Sequence, residues 1–276
     1  GQGDEVILPA PWYFNHKMWL DMQGVITRPL PCRQDMLPDP AEAAELIGPR
    51  TKAIVLVTPN NPSGAEYPAD LVAAFFDLAQ RRGLALVLDE TYRDFDSRTG
   101  APHDLLRRAE RDQTLIQLYS FSKAYRLTGH RVGAMIASTA RLREVEKFLD
   151  TVAISTSQLG QIGALWGIEN LRDWLAGERD AILARRAAAV AAMSDLPGWR
   201  LKSAGAYFAW VEHPFADSSA DLVPRLVREA GVLALPGTMF VPRGDAEGAR
   251  HFRLAFSNVD ADGIAHLAER LAGFGG

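Results

Sequence analysis

Short apolar runs that alternate with helical patterns restrict the fold of this chain more than any other feature of its sequence. Between the first two runs, Leu71, Phe75 and Leu78 have the i, i+4, i+7 spacing of an amphipathic helix, and Gly83 follows as a stop signal. Because the runs are apolar almost throughout rather than at alternate positions, we expect strands of a parallel sheet buried on both faces. The predicted strands span residues 54–57, 84–88, 115–119 and 132–137.

The pattern changes near Ser157, where the sequence predicts the linking segment of a second, smaller domain. Residues 159–193 are rich in Ala, Leu, Arg and Glu and contain no proline, which favours one or two long helices. We predict an α/β fold with a large domain over residues 1–157, mostly parallel sheet with helices on both faces, and a small α+β domain within 158–276. The elements predicted for the small domain are strands at 205–211 and 252–256 and helices at 222–230 and from Asp262 onward.

Composition and charge exclude several classes of protein. The 30 basic and 34 acidic residues give a net charge of -4, so no nucleic-acid partner is predicted for this chain. The single cysteine, Cys32, cannot form an internal disulfide, and the 6 histidines are scattered, so no metal site is predicted. No apolar run is long enough to cross a membrane and no signal peptide is visible, so we predict no membrane partner and a cytoplasmic location.

A lysine-containing cluster follows the third predicted strand. Residues 120–133 read Ser-Phe-Ser-Lys-Ala-Tyr-Arg-Leu-Thr-Gly-His-Arg-Val-Gly, at the end of a strand where open α/β sheets bind ligands. A desolvated Lys123 can lose its proton and become a nucleophilic amine suited to a Schiff base. Ser120, Ser122 and Arg131 offer donors for a phosphate group. Taken alone, the cluster is more often a surface lysine beside turn-forming residues.

Two further polar motifs follow other predicted strands. Asp89 and Tyr92 belong to the sequence Asp-Glu-Thr-Tyr; a buried Asp beside a pyridine nitrogen would keep that nitrogen protonated, and Tyr92 could donate to a phenolic oxygen. Residues 59–64 read Pro-Asn-Asn-Pro-Ser-Gly, which by itself indicates a turn. The first motif alone is more typical of a helix cap or a solvated loop.

In this order, each after an apolar strand, the three motifs resemble those of the class I and II aminotransferases, pyridoxal-phosphate enzymes of fold type I. The resemblance extends over essentially the whole chain. It implies that Lys123 bonds covalently to the cofactor and later moves a proton to or from the substrate α-carbon. It also implies that Asp89 pairs with the pyridine nitrogen, and that Asn61 and Tyr92 bind the phenolic oxygen of the cofactor.

The same resemblance implies contacts to the phosphate and to the face of the cofactor ring. Ser120 and Arg131 match phosphate ligands, and Ser122 is a further candidate. Near the start of the chain, an aromatic stretch is similar to the one that stacks on the ring, and its register favours Tyr13, with Trp12 as the alternative.

A last strand near the C-terminus would bind the substrate. Residues 251–256 resemble the strand whose arginine, here Arg253, holds the substrate α-carboxylate, because a guanidinium fork matches two carboxylate oxygens. Without the family context, an arginine flanked by Phe and Leu on a short strand could simply point to solvent.

The resemblance predicts amino transfer between an α-amino acid and a 2-keto acid, in a homodimer. Two alternatives stay open: carbon–sulfur β-elimination on the same cofactor, and an effector-sensing aminotransferase-like domain of a transcription regulator. Neither the amino donor nor the keto acid can be read from the sequence. Family members carry an N-terminal arm and a glycine-containing phosphate loop before the equivalent of Gly1, so we expect the C-terminal majority of such a protein, binding pyridoxal phosphate weakly by itself.

Overall fold

Residues 1–275, which the computed structural model describes, form two sheets with helices packed around them. The strands are β1 (Glu5–Ala10), β2 (Ile26–Pro31), β3 (Thr51–Val57), β4 (Ala85–Asp89), β5 (Leu115–Ser120), β6 (Gly133–Ile136), β7 (Arg200–Gly205), β8 (Phe208–Glu212), β9 (Leu235–Pro236) and β10 (His251–Ala255). The α-helices are α1 (Phe14–Met22), α2 (Pro40–Leu46), α3 (Ala69–Arg81), α4 (Arg111–Thr114), α5 (Phe121–Ala124), α6 (Thr139–Val152), α7 (Gln158–Asn170), α8 (Arg172–Ser194), α9 (Ser219–Arg225), α10 (Ala246–Arg250) and α11 (Ala261–Ala272).

The larger sheet has the strand order β2-β1-β3-β4-β5-β6. All neighbours are parallel except β6, which runs antiparallel to β5. The expectation of a mostly parallel sheet is therefore confirmed, and the predicted strand 132–137 is its one antiparallel member among the described residues.

Both faces of the larger sheet are covered, as the continuous apolar runs predict. On one face Ile54 and Leu56 are fully buried and belong to the same core as Phe75 of α3. On the other face Val55 packs in a second core with Trp12, against Leu20 of α1. Burying each such side chain contributes roughly 1.5–3 kcal/mol to folding.

The smaller sheet is antiparallel, with the strand order β7-β8-β10-β9. The prediction of one strand over 205–211 is wrong: β7 ends at Gly205, Ala206 takes φ 45° in a turn, and β8 starts at Phe208. The turn is apolar because it is packed inside the protein, where Ala206 is buried and the ring of Tyr207 contacts that of Phe95. It therefore lacks the polar residues that mark surface turns.

Two long helices join the sheets, as the sequence predicts. They are α7 and α8, and α8 also reaches back to the loop after β4, where Arg179 donates to the carbonyl oxygens of Asp96 at 2.9 Å and Ser97 at 3.0 Å. The predicted helix 222–230 begins earlier, as α9, and continues from Leu226 as a π-helical turn. The boundary between domains at residue 157 stays a prediction.

Candidate active site

Four parallel strands of the larger sheet deliver polar residues to one edge. Asp89 is the last residue of β4, Lys123 lies in the short helix directly after β5, and Asn61 and Tyr13 follow β3 and β1. The carboxyl ends of parallel strands meet at the same edge, which is where such sheets bind ligands. β8 and β10 of the smaller sheet contribute the opposite wall through Phe208 and Arg253.

Asp89 is a buried carboxylate held by several donors. Its Oδ1 atom accepts hydrogen bonds from the Thr91 amide at 3.0 Å and the Thr91 hydroxyl at 2.7 Å, and its Oδ2 atom lies 3.0 Å from His16 Nε2. Burial by itself raises the pKa of Asp89, but the hydrogen bonds from His16 and Thr91 outweigh it, so the pKa lies below its ordinary value. The structure therefore keeps a negative charge at the end of β4.

Lys123 is half-buried and faces other cations. Burial, followed by the charges of Arg253 and Arg131, lowers the pKa of the Lys123 ammonium group. A larger fraction of the amine is then unprotonated at neutral pH. This is the electrostatic setting expected of a nucleophilic lysine.

Arg253 connects the smaller sheet to the loop after β3. Its Nη1 atom donates to Asn61 Oδ1 at 2.7 Å. The guanidinium carbon lies 4.5 Å from the centre of the Phe208 ring and 5.3 Å from that of Phe240, so two aromatic rings fix its position. Burial lowers the pKa of Arg253, and its Nε atom is buried without a hydrogen-bond partner among the described residues.

The two tyrosines differ in their surroundings. Tyr92 is buried, with its ring edge-on to Phe208 at 5.2 Å, and burial raises its pKa, so the hydroxyl stays protonated as a donor. Tyr13 is half-buried; its hydroxyl accepts from Asn15 Nδ2 at 2.9 Å, and burial raises its pKa as well. Trp12, the alternative aromatic residue, is buried in the sheet core instead.

The residues expected at the phosphate lie at the end of β5 and in the segment between β5 and β6. Ser120 caps α5, its Oγ atom accepting from the Ser122 amide at 3.3 Å. Ser122 is buried, and its carbonyl oxygen accepts from the Thr128 hydroxyl at 3.0 Å. Arg131 has φ 52°, is exposed, and donates to the Thr128 carbonyl oxygen at 2.9 Å. The exposed guanidinium thus lies close enough to Lys123 to influence its charge.

Comparison with known proteins identifies the family. The sequence pattern described as "Aminotransferase class I and II" matches residues 1–271. The chain belongs to this family. It is therefore a pyridoxal-phosphate-dependent aminotransferase of fold type I, and the predicted family, fold, cofactor and enzyme class are confirmed.

Relatives of this aminotransferase span several substrates. It is 30% identical to arginine–pyruvate transaminase AruH of Pseudomonas aeruginosa, over 98% of this chain and 68% of the relative. It is 28% identical to an aspartate aminotransferase of Pyrococcus horikoshii, over 88% and 63% of the two chains. A tetra mutant of Thermus thermophilus aspartate aminotransferase superposes with a TM-score of 0.88 at 26% identity, over 99% of this chain and 74% of the other. The chain spans about two thirds of the length of these curated relatives.

The residues of this aminotransferase fit pyridoxal phosphate. A charged buried carboxylate suits a protonated pyridine nitrogen, and a lysine of lowered pKa suits the aldehyde. The unpartnered Arg253 Nε is left as a donor for a carboxylate other than the cofactor, which carries none. Within residues 1–275 no three His, Cys, Asp or Glu side chains come together as a metal site. No helix in that range is long and apolar enough to cross a membrane.

His16, the partner of Asp89, is not among the residues predicted from the sequence. A usable signal existed, because His16 lies three residues after Tyr13 on the first turn of α1, and residues three apart share a helix face. If Tyr13 faces the cofactor ring, His16, three residues later, should lie at the same edge of the sheet.

Proposed function

We propose that the protein containing this chain moves an amino group between an α-amino acid and a 2-keto acid, and that the residues described above perform the steps. The observation that carries the proposal is the joint placement of an amine of lowered pKa, Lys123, and an arginine–amide pair, Arg253 and Asn61, beside one another. One group can move a proton, and the other can hold a carboxylate.

Residues at the ends of the larger sheet's strands, and in the segments that follow them, would hold the cofactor. Asp89 would accept a hydrogen bond from the protonated pyridine nitrogen, with His16 and Thr91 keeping the carboxylate charged. Pyridoxal phosphate, when bound, supplies a ring that withdraws electrons from the bonds at the substrate α-carbon. The proposed cofactor-binding residues are Tyr13, Asn61, Asp89, Tyr92, Ser120, Ser122 and Arg131.

Lys123 would hold the cofactor covalently through Nζ and would carry a proton at the same atom. Burial and two neighbouring cations favour the free amine, which is the form that accepts a proton. Arg253 would bind the substrate α-carboxylate through its guanidinium, with its free Nε and the Nη groups as donors. This arrangement selects α-amino and 2-keto acids without specifying a side chain.

The test of the proposal is a spectroscopic and kinetic comparison of lysine variants. The protein with pyridoxal phosphate should show the absorbance of a lysine-bound cofactor and transaminate at least one donor of an amino-acid panel with 2-oxoglutarate. Lys123→Ala should abolish both, whereas Lys147→Ala, at an exposed lysine of α6, should change neither. Pyruvate release from a cysteine conjugate without keto-acid-dependent turnover would instead establish the β-lyase.

We further infer a homodimer from an apolar face, defined here as the large hydrophobic side chains that α6, α7 and the segment between them leave exposed. Monomeric proteins rarely leave many such side chains exposed near one another. A second copy of the chain would cover this face in an interface of the usual oligomeric type. The exposed residues are Phe148, Leu149, Val152, Ile154, Leu159, Ile162, Leu165 and Trp166.

Sedimentation measurements on surface variants test this assembly. Phe148→Glu combined with Ile162→Glu should convert the dimer to monomer, while Val227→Glu, at an exposed apolar residue elsewhere, should leave it intact. A protein that sediments as a monomer before substitution would contradict the inference.

We also propose a cytoplasmic location, since the unpaired Cys32 suits a reducing compartment. Fractionation of cells that express a tagged protein checks this location.

A further inference from the structure

The loop that carries Asn61 touches the hairpin between β7 and β8 backbone to backbone. Gly64 has φ 73°, and a methyl group on it would lie 2.7 Å from the Phe208 carbonyl oxygen and 2.8 Å from that of Gly205. A methyl group on Gly205 would in turn overlap the Gly64 carbonyl oxygen and lie 3.1 Å from its carbon. Since no Cβ fits on either side, only two glycines permit this approach.

Hydrogen bonds hold the loop side of this contact in shape and join it to the hairpin. The Ser203 hydroxyl of β7 donates to the Ser63 carbonyl oxygen at 2.6 Å, next to the glycine contact. Within the loop, Asn60 Oδ1 accepts from the Ser63 amide at 3.1 Å and its hydroxyl at 2.9 Å, and the Gly64 amide donates to the Asn60 carbonyl oxygen at 2.8 Å. A displacement at Gly64 would therefore be passed on to Asn61.

The same hairpin also supports Arg253. In the smaller sheet, β8 pairs with β10 so that Trp210 lies opposite Arg253 and Phe208 opposite Ala255. The Phe208 ring lies 4.5 Å from the Arg253 guanidinium carbon. The hairpin thus positions Arg253 through the sheet and Asn61 through the glycine contact. The hydrogen bond of 2.7 Å between Arg253 and Asn61 joins the two residues directly.

We propose that the Gly64–Gly205 contact sets the separation of Asn61 and Arg253 and so determines how tightly a substrate carboxylate is bound. Gly64, Gly205 and Ser203 are positioning residues in this account, acting through the arginine–amide pair. The inference rests on the proposed function of Arg253.

The kinetic test compares Gly205→Ala with Gly177→Ala. Gly177 is an exposed residue of α8, and a methyl group added to it would have no heavy atom within 4 Å, so its substitution adds the same group without contact. We expect Gly205→Ala to raise the KM for the amino donor roughly 10-fold with a much smaller change in kcat, because the loss is in binding shared by substrate and transition state. The control should match the unsubstituted protein.

A double-substitution cycle distinguishes positioning from general destabilisation. If Gly205 acts through Asn61, the effect of Asn61→Ala on KM should largely disappear in the Gly205→Ala background, whereas independent effects would multiply. Multiplying effects would overturn the proposal. Ser203→Ala, which removes the bond to Ser63 without introducing a clash, should give the same change in KM in weaker form and covers the case that Gly205→Ala does not fold.

Hydrogen exchange of the cofactor-free protein gives a readout independent of activity. The amides of Asn60 and Gly64 close the loop by bonds to the Ala65 and Asn60 carbonyl oxygens, and both should exchange faster in Gly205→Ala than in Gly177→Ala. Equal exchange and equal KM in the two variants would overturn the positioning role while leaving the aminotransferase assignment intact. Failure of the unsubstituted protein to transaminate any donor, with exchange altered as expected, would instead overturn the proposed function and the effect on substrate binding, while the positioning of the Asn61 loop by the glycine contact would stand.

Discussion

The two walls of the site hold their charged groups by different means. On the larger sheet, Asp89 is held by hydrogen bonds from His16 and Thr91, which keep its carboxylate charged although it is buried. On the smaller sheet, Arg253 is held by two aromatic rings and one amide oxygen, and its Nε is left without a partner among the described residues. A carboxylate has about four lone-pair sites, so Asp89 can accept three hydrogen bonds from the protein and still bind a resident cofactor. A group that must bind and release substrate keeps donors free, and apolar contacts can orient it without using them.

The largest effect should come from removing the charge of Asp89 on the larger sheet. Asp89→Asn keeps the shape of the side chain but cannot hold the ring nitrogen protonated, so we expect kcat to fall by roughly 100-fold or more, as when other preorganised charge-stabilising groups are removed. Steady-state kinetics with cofactor saturation confirmed by absorbance measures it. Asp150→Asn, on the exposed surface of α6, is the matched control. A kcat within a few-fold of the unsubstituted protein would remove Asp89 from the mechanism.

On the smaller sheet, replacing Arg253 should affect substrate binding rather than the chemical step. Arg253→Lys retains a positive charge but loses the planar fork, so the KM for the amino donor should rise about 10- to 100-fold, in line with the loss of charged hydrogen bonds, while kcat changes much less. The exposed Arg243 provides the control Arg243→Lys. A fall in kcat at constant KM would mean that Arg253 acts on the reacting atoms and not on the carboxylate.

Substitution of His16 tests whether hydrogen bonding keeps the Asp89 carboxylate charged. Because the folded-state pKa of Asp89 is lowered, its ionisation stabilises the protein above the ordinary carboxyl pKa, and this contribution is lost as the pH falls through the lowered value. His16→Leu removes a donor, so the free energy of unfolding without cofactor should fall by about 1.5–3 kcal/mol at pH 7. The deficit should shrink as the pH is lowered into the carboxyl range.

Urea unfolding followed by tryptophan fluorescence across that pH range measures the difference. His266→Leu removes an exposed histidine of α11 and should show no such pH-dependent deficit. If the deficit of His16→Leu were the same at every pH, lost packing rather than the bond to Asp89 would explain it.

The sequence predicts this fold wherever burial leaves a pattern. The apolar runs at β3, β4 and β5 predict a parallel sheet because both of its faces are covered. β2 reads Ile-Thr-Arg-Pro-Leu-Pro and pairs only with β1 at the sheet edge, so burial imposes little pattern on it and its prolines obscure it. The turn between β7 and β8 is hidden for the opposite reason, because it is buried.

At the site, the motifs identify residues at strand ends but not the contacts between distant segments. Motif order gives Asp89, Asn61 and Arg253 as candidates, yet the Arg253–Asn61 hydrogen bond joins residues 192 positions apart and the His16–Asp89 bond joins residues 73 apart. Such contacts depend on how the two sheets approach each other. Local spacing carries no information about that approach, which is why His16 and the aromatic rings around Arg253 emerge only from the structure.

The smallest expected effect sharpens the claim that aromatic rings orient Arg253 without occupying its donors. Phe240→Leu removes the more distant ring of the pair, at 5.3 Å, so the loss of this cation–π contact should cost about 1 kcal/mol and the KM for the amino donor should rise only about fivefold. Phe256→Leu removes the same volume from a buried position in the core of the smaller sheet, where it is not among the rings that contact Arg253, and should lower stability without that rise. Equal KM values in the two variants would mean that the Arg253–Asn61 hydrogen bond and the sheet register orient the guanidinium by themselves. A rise in KM larger than that of Arg253→Lys would mean that Phe240 also supports the larger-sheet side of the site, because its ring contacts Phe14, which contacts Tyr13. The two sheets would then not hold their charged groups independently at this ring.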